Sequence, residues 1–324
     1  MVSDIKTHAD RNLAMELVRA TEAAAIRAYP FIGKGDKNAA DGAAVDAMRA
    51  FLGTVEFDGV VVIGEGEKDN APMLFNGERV GTGSGPKVDI AVDPIDGTSL
   101  TAAGRLNAIS VIAVSDRGTL LDASAVYRMD KFVVGKAGVG VCDIRMSIAD
   151  NLKEYAKAAS KPVDEILVAV LDREYNEEVI DQIRATGAAT RLLRDGDVAG
   201  GIQAARSESR IDMCIGKGGS PEGIITACGV KSLGGQIQGI LAPRDQFEID
   251  AGNKAGLKFD HVYEMDEMVK SENTFFVATG VTDGPLVAGV RKRGDLILAE
   301  SIVIRGKSGT VRKVFAEYQA SRWL

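Results

Sequence analysis

The sequence predicts an α/β protein, and three observations carry that reading. Short apolar runs at 60–63 and 88–92 stop abruptly at loops rich in acids and glycine. From about residue 147 the pattern alternates, with helical spacing at 149–159, an apolar run at 166–171 and helical spacing again at 177–185. Such βα repetition builds helix-covered sheets whose strand-end loops are free for binding. The 324 residues are 45% apolar and 26% charged, a globular balance that leaves no room for wholesale disorder.

Residues 10–30 read as a helix, with Asp10 as its cap and Leu13, Leu17, Val18, Thr21, Ala24, Ala25 and Ala28 on one face. A loop at 33–38 separates it from a second helix carrying Val45, Met48 and Leu52. Strands follow at 60–63 and 88–92, and the runs at 108–114 and 131–134 continue their sheet, with Asp116-Arg117-Gly118 as a turn. In the second half, the run 191–193 leads into Asp195-Gly196-Asp197 and a helix, and 213–215 leads through a glycine-rich loop into a helix near Pro221. The change of rhythm divides the chain into an α+β half, 1–145, and an α/β half, 146–324, sharing one site.

Bulk properties narrow the function. A formal charge of −7 disfavours nucleic acid and anionic membranes as partners, because both require a basic surface. The polar stretch 1–11 lacks the apolar run of a signal peptide and no segment is long enough to span a bilayer, so a cytoplasmic protein is expected. Cys142, Cys214 and Cys228 are widely spaced and read as buried thiols in a reducing compartment. With His8 and His261 as the only histidines, the composition argues against a histidine-rich zinc site, a phosphohistidine pair or a Ser-His-Asp triad.

The chemistry lies in two acidic loops at strand ends. Gly64-Glu65-Gly66-Glu67-Lys68-Asp69 follows one apolar run and Asp93-Pro94-Ile95-Asp96-Gly97-Thr98 follows the next. Taken alone, the second is an Asx turn, Asp41 is a helix cap and Glu222 is an acid suited to a helix start. If the two strands are neighbours, their carboxylates crowd one sheet edge, and hard divalent cations remove the repulsion. Two such ions clamp a phosphoryl group and activate water. Other phosphatase chemistries fail on the letters. The positions six after each cysteine hold Ile148, Ser220 and Gly234 rather than arginine. Pro94 stands where an aspartyl nucleophile would, Ala199 breaks the Asp195-x-Asp197 alternative, and Ser301 breaks a P-loop ending at Gly306-Lys307-Ser308.

These motifs, with Lys37-Asn38-Ala39-Ala40-Asp41-Gly42, Pro221-Glu222-Gly223, the segment 278–284 and Ser308-Gly309-Thr310-Val311-Arg312, resemble the class II fructose-1,6-bisphosphatases. That family belongs to the lithium-sensitive two-metal sugar phosphatases, and the resemblance spans nearly the whole chain. It implies an α/β/α/β/α layered fold, two or more Mg²⁺ or Mn²⁺ ions per site, a homodimer or homotetramer, and removal of the 1-phosphate of fructose 1,6-bisphosphate in gluconeogenesis. It assigns Asp41 and Glu65 to one metal and Asp93, Asp96 and Glu222 to the other. Thr98 and Asp69 would serve the attacking water, with Lys37 as an electrostatic helper. Asp96, Gly97, Thr98, Tyr127, Arg128, Arg173, Tyr175, Asp195, Gly196, Asp197 and Gly219 would line the substrate pocket.

The chain departs from the family at the far end of that pocket. Asp172-Arg173-Glu174-Tyr175-Asn176 carries Tyr175 where the family has a second, phosphate-gripping Arg, and Arg128 stands where the family has a substrate-contacting Tyr, with Tyr127 one position earlier. Ser99 and Lys217 are further departures. An exchanged pair facing one cavity would keep the count of positive groups; an Arg128 turned to solvent would not. A paralogue for another sugar phosphate, such as sedoheptulose 1,7-bisphosphate, and a non-catalytic sugar-phosphate sensor are the alternative readings. The intact acids weigh against the sensor.

Overall fold

Helix α1 (Leu13–Ala28) opens the described chain, which in this computed structural model comprises residues 13–65 and 74–323. The expected cap Asp10 lies outside those residues. Leu17, Val18, Thr21, Ala24, Ala25 and Ala28 are all buried, as their helical spacing requires. Helix α2 (Lys37–Leu52) is capped by Asp36, whose carboxylate accepts the Ala39 N–H at 2.9 Å. Asp41 is therefore no cap. It lies in the second helical turn, four residues beyond Lys37 and on the same face.

The chain next forms β1 (Asp58–Ile63), β2 (Arg79–Val80), β3 (Lys87–Asp96) and β4 (Ile109–Asp116). β1 and β3 are parallel neighbours, and β3 pairs antiparallel with β4. β3 does not end at Val92. It continues to Asp96 with a register slip against β4 between Asp93 and Asp96, a bulge of the kind that re-aims side chains. Gly97 then turns the chain at φ +100°, a left-handed value that costs glycine nothing, and helix α3 (Thr98–Ala102) begins.

β5 (Arg128–Val134) leaves this sheet, contrary to the expectation that 131–134 continues it. Met129 and Val133 bury into one core while Phe132 and Val134 bury into another, so β5 needs a sheet covered on both faces. That second sheet has six strands, completed by β6 (Leu167–Leu171), β7 (Ala189–Leu193), β8 (Met213–Gly219), β9 (Gln236–Leu241) and β10 (Tyr263–Glu264), in the order β10-β9-β5-β8-β6-β7. Its connections carry α4 (Ile148–Ala159), α5 (Glu177–Ala185), α6 (Val198–Ala204), α7 (Ser220–Leu233), α8 (Gln246–Lys254) and α9 (Met265–Met268). The strands β11 (Phe275–Gly280), β12 (Arg291–Arg293), β13 (Leu296–Arg305) and β14 (Thr310–Gln319) then return to the first sheet. Its order is β12-β13-β11-β4-β3-β1-β2, with β14 on the other side of β13.

Three apolar cores give the layers. α1 and α2 pack on the outer face of the eight-stranded sheet through Leu17, Ile26, Met48, Ile90 and Ile112. α6 and α7 lie between the sheets with Ile202, Ile224, Val111 and Met129. α4 and α5 cover the second sheet through Leu152, Ile183 and Val168. The architecture is α/β/α/β/α. A cut at 145 separates neither sheet, because β5 precedes it yet belongs to the second sheet, and β11–β14 follow it yet belong to the first.

Removing the α2 cap tests this local account. Asp36→Ala is expected to lower the free energy of unfolding by about 0.5–2 kcal/mol, read from urea denaturation, whereas Asp41→Ala loses no cap.

Candidate active site

The parallel pairing of β1 and β3 makes the two acidic loops neighbours at one sheet edge. A cavity of about 700 Å³ opens there, lined by Asp41 from α2, Glu65 after β1, Asp93 and Asp96 from β3, and Glu222 from the first turn of α7. Gly97, Thr98, Tyr127, Arg128, Arg173, Tyr175, Asp195, Gly196, Asp197 and Gly219 complete the predicted set. Both sheets and the helices between them thus meet at one site. Asp69 lies outside the described residues. Lys37 stands apart from the cavity wall, in an adjoining recess with Arg105 and Arg194 that shares Arg173 and Asp195 with the cavity.

Backbone turns aim the acids. Asp93 Oδ1 accepts the Ile95 N–H at 3.0 Å, so the Asx turn is present and directs the other oxygen elsewhere. Asp96 Oδ2 accepts the Val198 N–H at the start of α6 at 3.2 Å, and Asp195 Oδ2 accepts the Ser99 N–H in α3 at 3.1 Å. These two reciprocal bonds tie the first sheet's turn to the second sheet's turn. Gly219 is required by close approach: a Cβ there would lie 1.7 Å from Glu222 Oε2. Thr98 is the first residue of α3 and its hydroxyl does not cap it, since the cap is Gly97.

The electrostatics are dominated by carboxylates shut away from water. Burial, reinforced by repulsion from Glu65, Asp96, Glu222 and Asp41, holds the Asp93 carboxyl well above the usual range. Burial does the same at Asp96, with repulsion from Asp197, Glu222 and Asp195, and it raises Glu222 as well. A buried cation opposes them. Lys131 is buried, lies 2.5 Å from Asp197 and donates to the Gly219 carbonyl at 3.0 Å. Burial works against its charge, but the carboxylates of Asp197 and Glu222 prevail and hold the ammonium above its usual value.

Glu222 Oε2 and Asp197 Oδ1 are buried without a hydrogen-bond partner among the described residues. Among the described residues no three acids, histidines or cysteines are drawn together closely enough to form a finished metal site. Yet orphaned carboxylate oxygen, all-oxygen donors and mutual repulsion together fit a hard divalent cation, which would draw them in.

Basic and aromatic side chains line the same cavity. The Arg128 guanidinium stacks 4.4 Å from the centre of the Tyr175 ring, so both residues of the exchanged pair face the cavity. Arg173 is held by Asp195 at 3.0 Å and by the Arg194 carbonyl at 2.7 Å. Arg244 lies 4.8 Å over the Tyr127 ring and joins Ser124 in the wall. Lys217 points away, toward Asp130. Sequence reasoning missed Lys131, Ser124 and Arg244. Lys131 left a signal, because β-alternation puts it on the face of Met129 and Val133, where a lysine must be paired. Arg244 sits in a loop with no pattern to expose it.

Residues 11–318 match the family model described as bacterial fructose-1,6-bisphosphatase, glpX-encoded. The chain is 43% identical over 317 residues to the fructose-1,6-bisphosphatase 1 class 2 of Escherichia coli K12, covering 94% of each chain. The Shigella flexneri fructose-1,6-bisphosphatase class 2 matches with the same identity and coverage. Among solved structures, an inositol monophosphatase from Anabaena (Nostoc) sp. PCC 7120 aligns at 13% identity and a TM-score of 0.30, covering 60% of this chain and 71% of that one. That likeness is too low to carry an argument.

The raised carboxyls make stability depend on pH and on metal. Between the ordinary carboxylate value and the raised one, the folded state binds more protons than the unfolded state, so metal-free protein loses stability as pH rises. Thermal unfolding of EDTA-treated protein should show midpoints falling as pH rises above the ordinary carboxylate range. Added Mg²⁺ or Mn²⁺ should flatten the fall, and Asp93→Asn should reduce it. A wild-type slope unchanged in Asp93→Asn would remove Asp93 from the charge cluster.

Proposed function

The chain belongs to the bacterial, glpX-encoded fructose-1,6-bisphosphatase family, and from that membership we propose that it hydrolyses fructose 1,6-bisphosphate at the 1-phosphate, releasing fructose 6-phosphate and phosphate. The observation that carries this reading is the polarity of the cavity. Crowded carboxylates and the guanidinium groups of Arg128, Arg173 and Arg244 line one cavity, as a substrate with a metal-bound phosphate and a second phosphate requires. The protein is a divalent-metal-dependent phosphatase.

In this reading Asp41 and Glu65 would hold one Mg²⁺ or Mn²⁺, and Asp93, Asp96 and Glu222 would hold another. Bound divalent cations neutralise phosphoryl charge and lower the pKa of water. Thr98, its hydroxyl not spent on capping, positions the scissile phosphate and assists the attacking water, which Asp69 helps to deprotonate. Lys37 adds positive potential from the neighbouring recess, and Lys131 pairs with Asp197. Asp195, Gly196, Asp197 and Gly219 meet the sugar, with the orphaned Asp197 Oδ1 able to accept a hydroxyl proton. Arg128, backed by Tyr175, and Arg173 grip the distal phosphate.

Turnover of a phosphate-ester panel with Mg²⁺ or Mn²⁺ tests the assignment, with fructose 1,6-bisphosphate expected as the best substrate. A sensor would turn over none of the panel, and a paralogue would favour sedoheptulose 1,7-bisphosphate. Asp93→Asn should lower kcat by orders of magnitude and weaken metal affinity while the fold persists; near-normal kcat at saturating metal would exclude it from the mechanism.

The exchanged pair has its own test. A charged hydrogen bond to phosphate is worth ~1.5–3 kcal/mol, so Arg128→Ala should raise KM for the bisphosphate by about 10- to 150-fold. Fructose 1-phosphate, lacking the distal group, should be affected far less. Equal effects on both substrates would show that Arg128 does not read the distal phosphate.

A further inference from the structure

β14 is the edge of the eight-stranded sheet, and its geometry is that of an unfinished interface. It runs for 10 residues and pairs along its whole length with β13 alone. Among the described residues, no other backbone group bonds to its outer edge. Val314 and Tyr318 turn inward onto the α1 core, while Val311, Lys313, Phe315, Glu317 and Gln319 form an uncovered face. Phe315 is 62% exposed, and Val311 and Leu296 of β13, which pairs with Gln319, add exposed apolar side chains to the same face. Monomeric proteins rarely leave a long, flat, partly apolar edge strand open, because it is a template for another strand.

Charged residues on an edge strand ordinarily blunt such pairing. Here their placement does the reverse. Two antiparallel copies of one strand related by a two-fold axis through the sheet pair residues whose numbers sum to a constant. Paired residues share a face, so the sum must be even. Centring the axis on Phe315 sets Lys313 of one copy opposite Glu317 of the other, twice, with Val311 opposite Gln319 and the two Phe315 rings together at the middle. A shift by one residue either way sets Lys313 opposite Phe315 or Gln319 and loses both ion pairs. Lys313 already bonds Glu300 of β13 at 2.9 Å, so the new pairs extend a charge ladder across the junction.

We propose that β14 is a self-association surface. A second copy of this chain adds its own β14 antiparallel about Phe315 and makes one continuous sheet across the dimer. The proposal is independent of the substrate assignment, because β14 lines no part of the catalytic cavity.

Sedimentation and cysteine cross-linking of the full chain decide it. Wild type should sediment as at least a dimer. Glu317→Lys, which sets like charges opposite each other, should weaken association by about tenfold or more. Phosphatase turnover of the variant reports separately that its site is intact. On the two-fold axis a residue faces itself, within the reach of a disulfide. Phe315→Cys should therefore form a covalent dimer under mild oxidation while Lys313→Cys alone does not. Lys313→Cys mixed with Glu317→Cys should also cross-link. The native Cys142, Cys214 and Cys228 are buried and leave the readout clean. A monomeric wild type, the outcome if another segment of the same chain or a different protein covers β14, would overturn the proposal. So would an oligomer in which Phe315→Cys cross-links no faster than Lys313→Cys.

Discussion

Everything in this molecule is arranged around a charge imbalance at the joint between two sheets. Asp93, Asp96, Asp195, Asp197 and Glu222 meet there with Lys131 as their buried counter-ion. A fold that only needed stability would replace such a cluster with apolar packing, since buried carboxylates that repel one another raise the energy of the folded state. Its retention means that the missing positive charge arrives with ligand. The same imbalance explains the backbone. A bulge in β3, a left-handed glycine and two short helix starts bring N–H groups to the acids from both sheets, satisfying part of each carboxylate and leaving the remainder aimed at the cavity.

The basic groups of the cavity follow a different logic. Guanidinium groups there rest on aromatic rings, Arg128 on Tyr175 and Arg244 on Tyr127. Stacking on Tyr175 fixes the plane of the Arg128 guanidinium and leaves its edge to a phosphate, whereas Arg244 is also paired with Glu248.

Much of the site was legible because its residues are local in sequence. Two acidic loops after apolar runs predicted metal-binding acids, and the pairing of β1 with β3 makes them neighbours. The assignment of strands to sheets was not legible in the same way. Nothing in the letters of 128–134 distinguishes a strand continuing the first sheet from one founding the second, because that choice depends on two cores that form far apart in sequence. Lys131 is the instructive omission, since periodicity marked it and only its partner Asp197, 66 positions later, explains it. Asp41 shows the opposite case: a residue that reads as a cap loses that role once Asp36 is seen to hold the helix start.

The order in which the strands are made has a consequence for biosynthesis. β4 occupies the middle of the first sheet, yet its neighbour β11 begins at Phe275, after the entire second sheet has been written. At roughly 5–20 residues per second, a ribosome leaves one edge of β4 unpaired for about 10–30 s. During that interval β1–β4 and the helices above them form an open half-sheet, and the growing second sheet must fold against it without sealing that edge. The carboxylates can be assembled at the joint before the sheet behind them is complete, so a nascent chain carries the acids of the site on a scaffold whose final strands have yet to emerge.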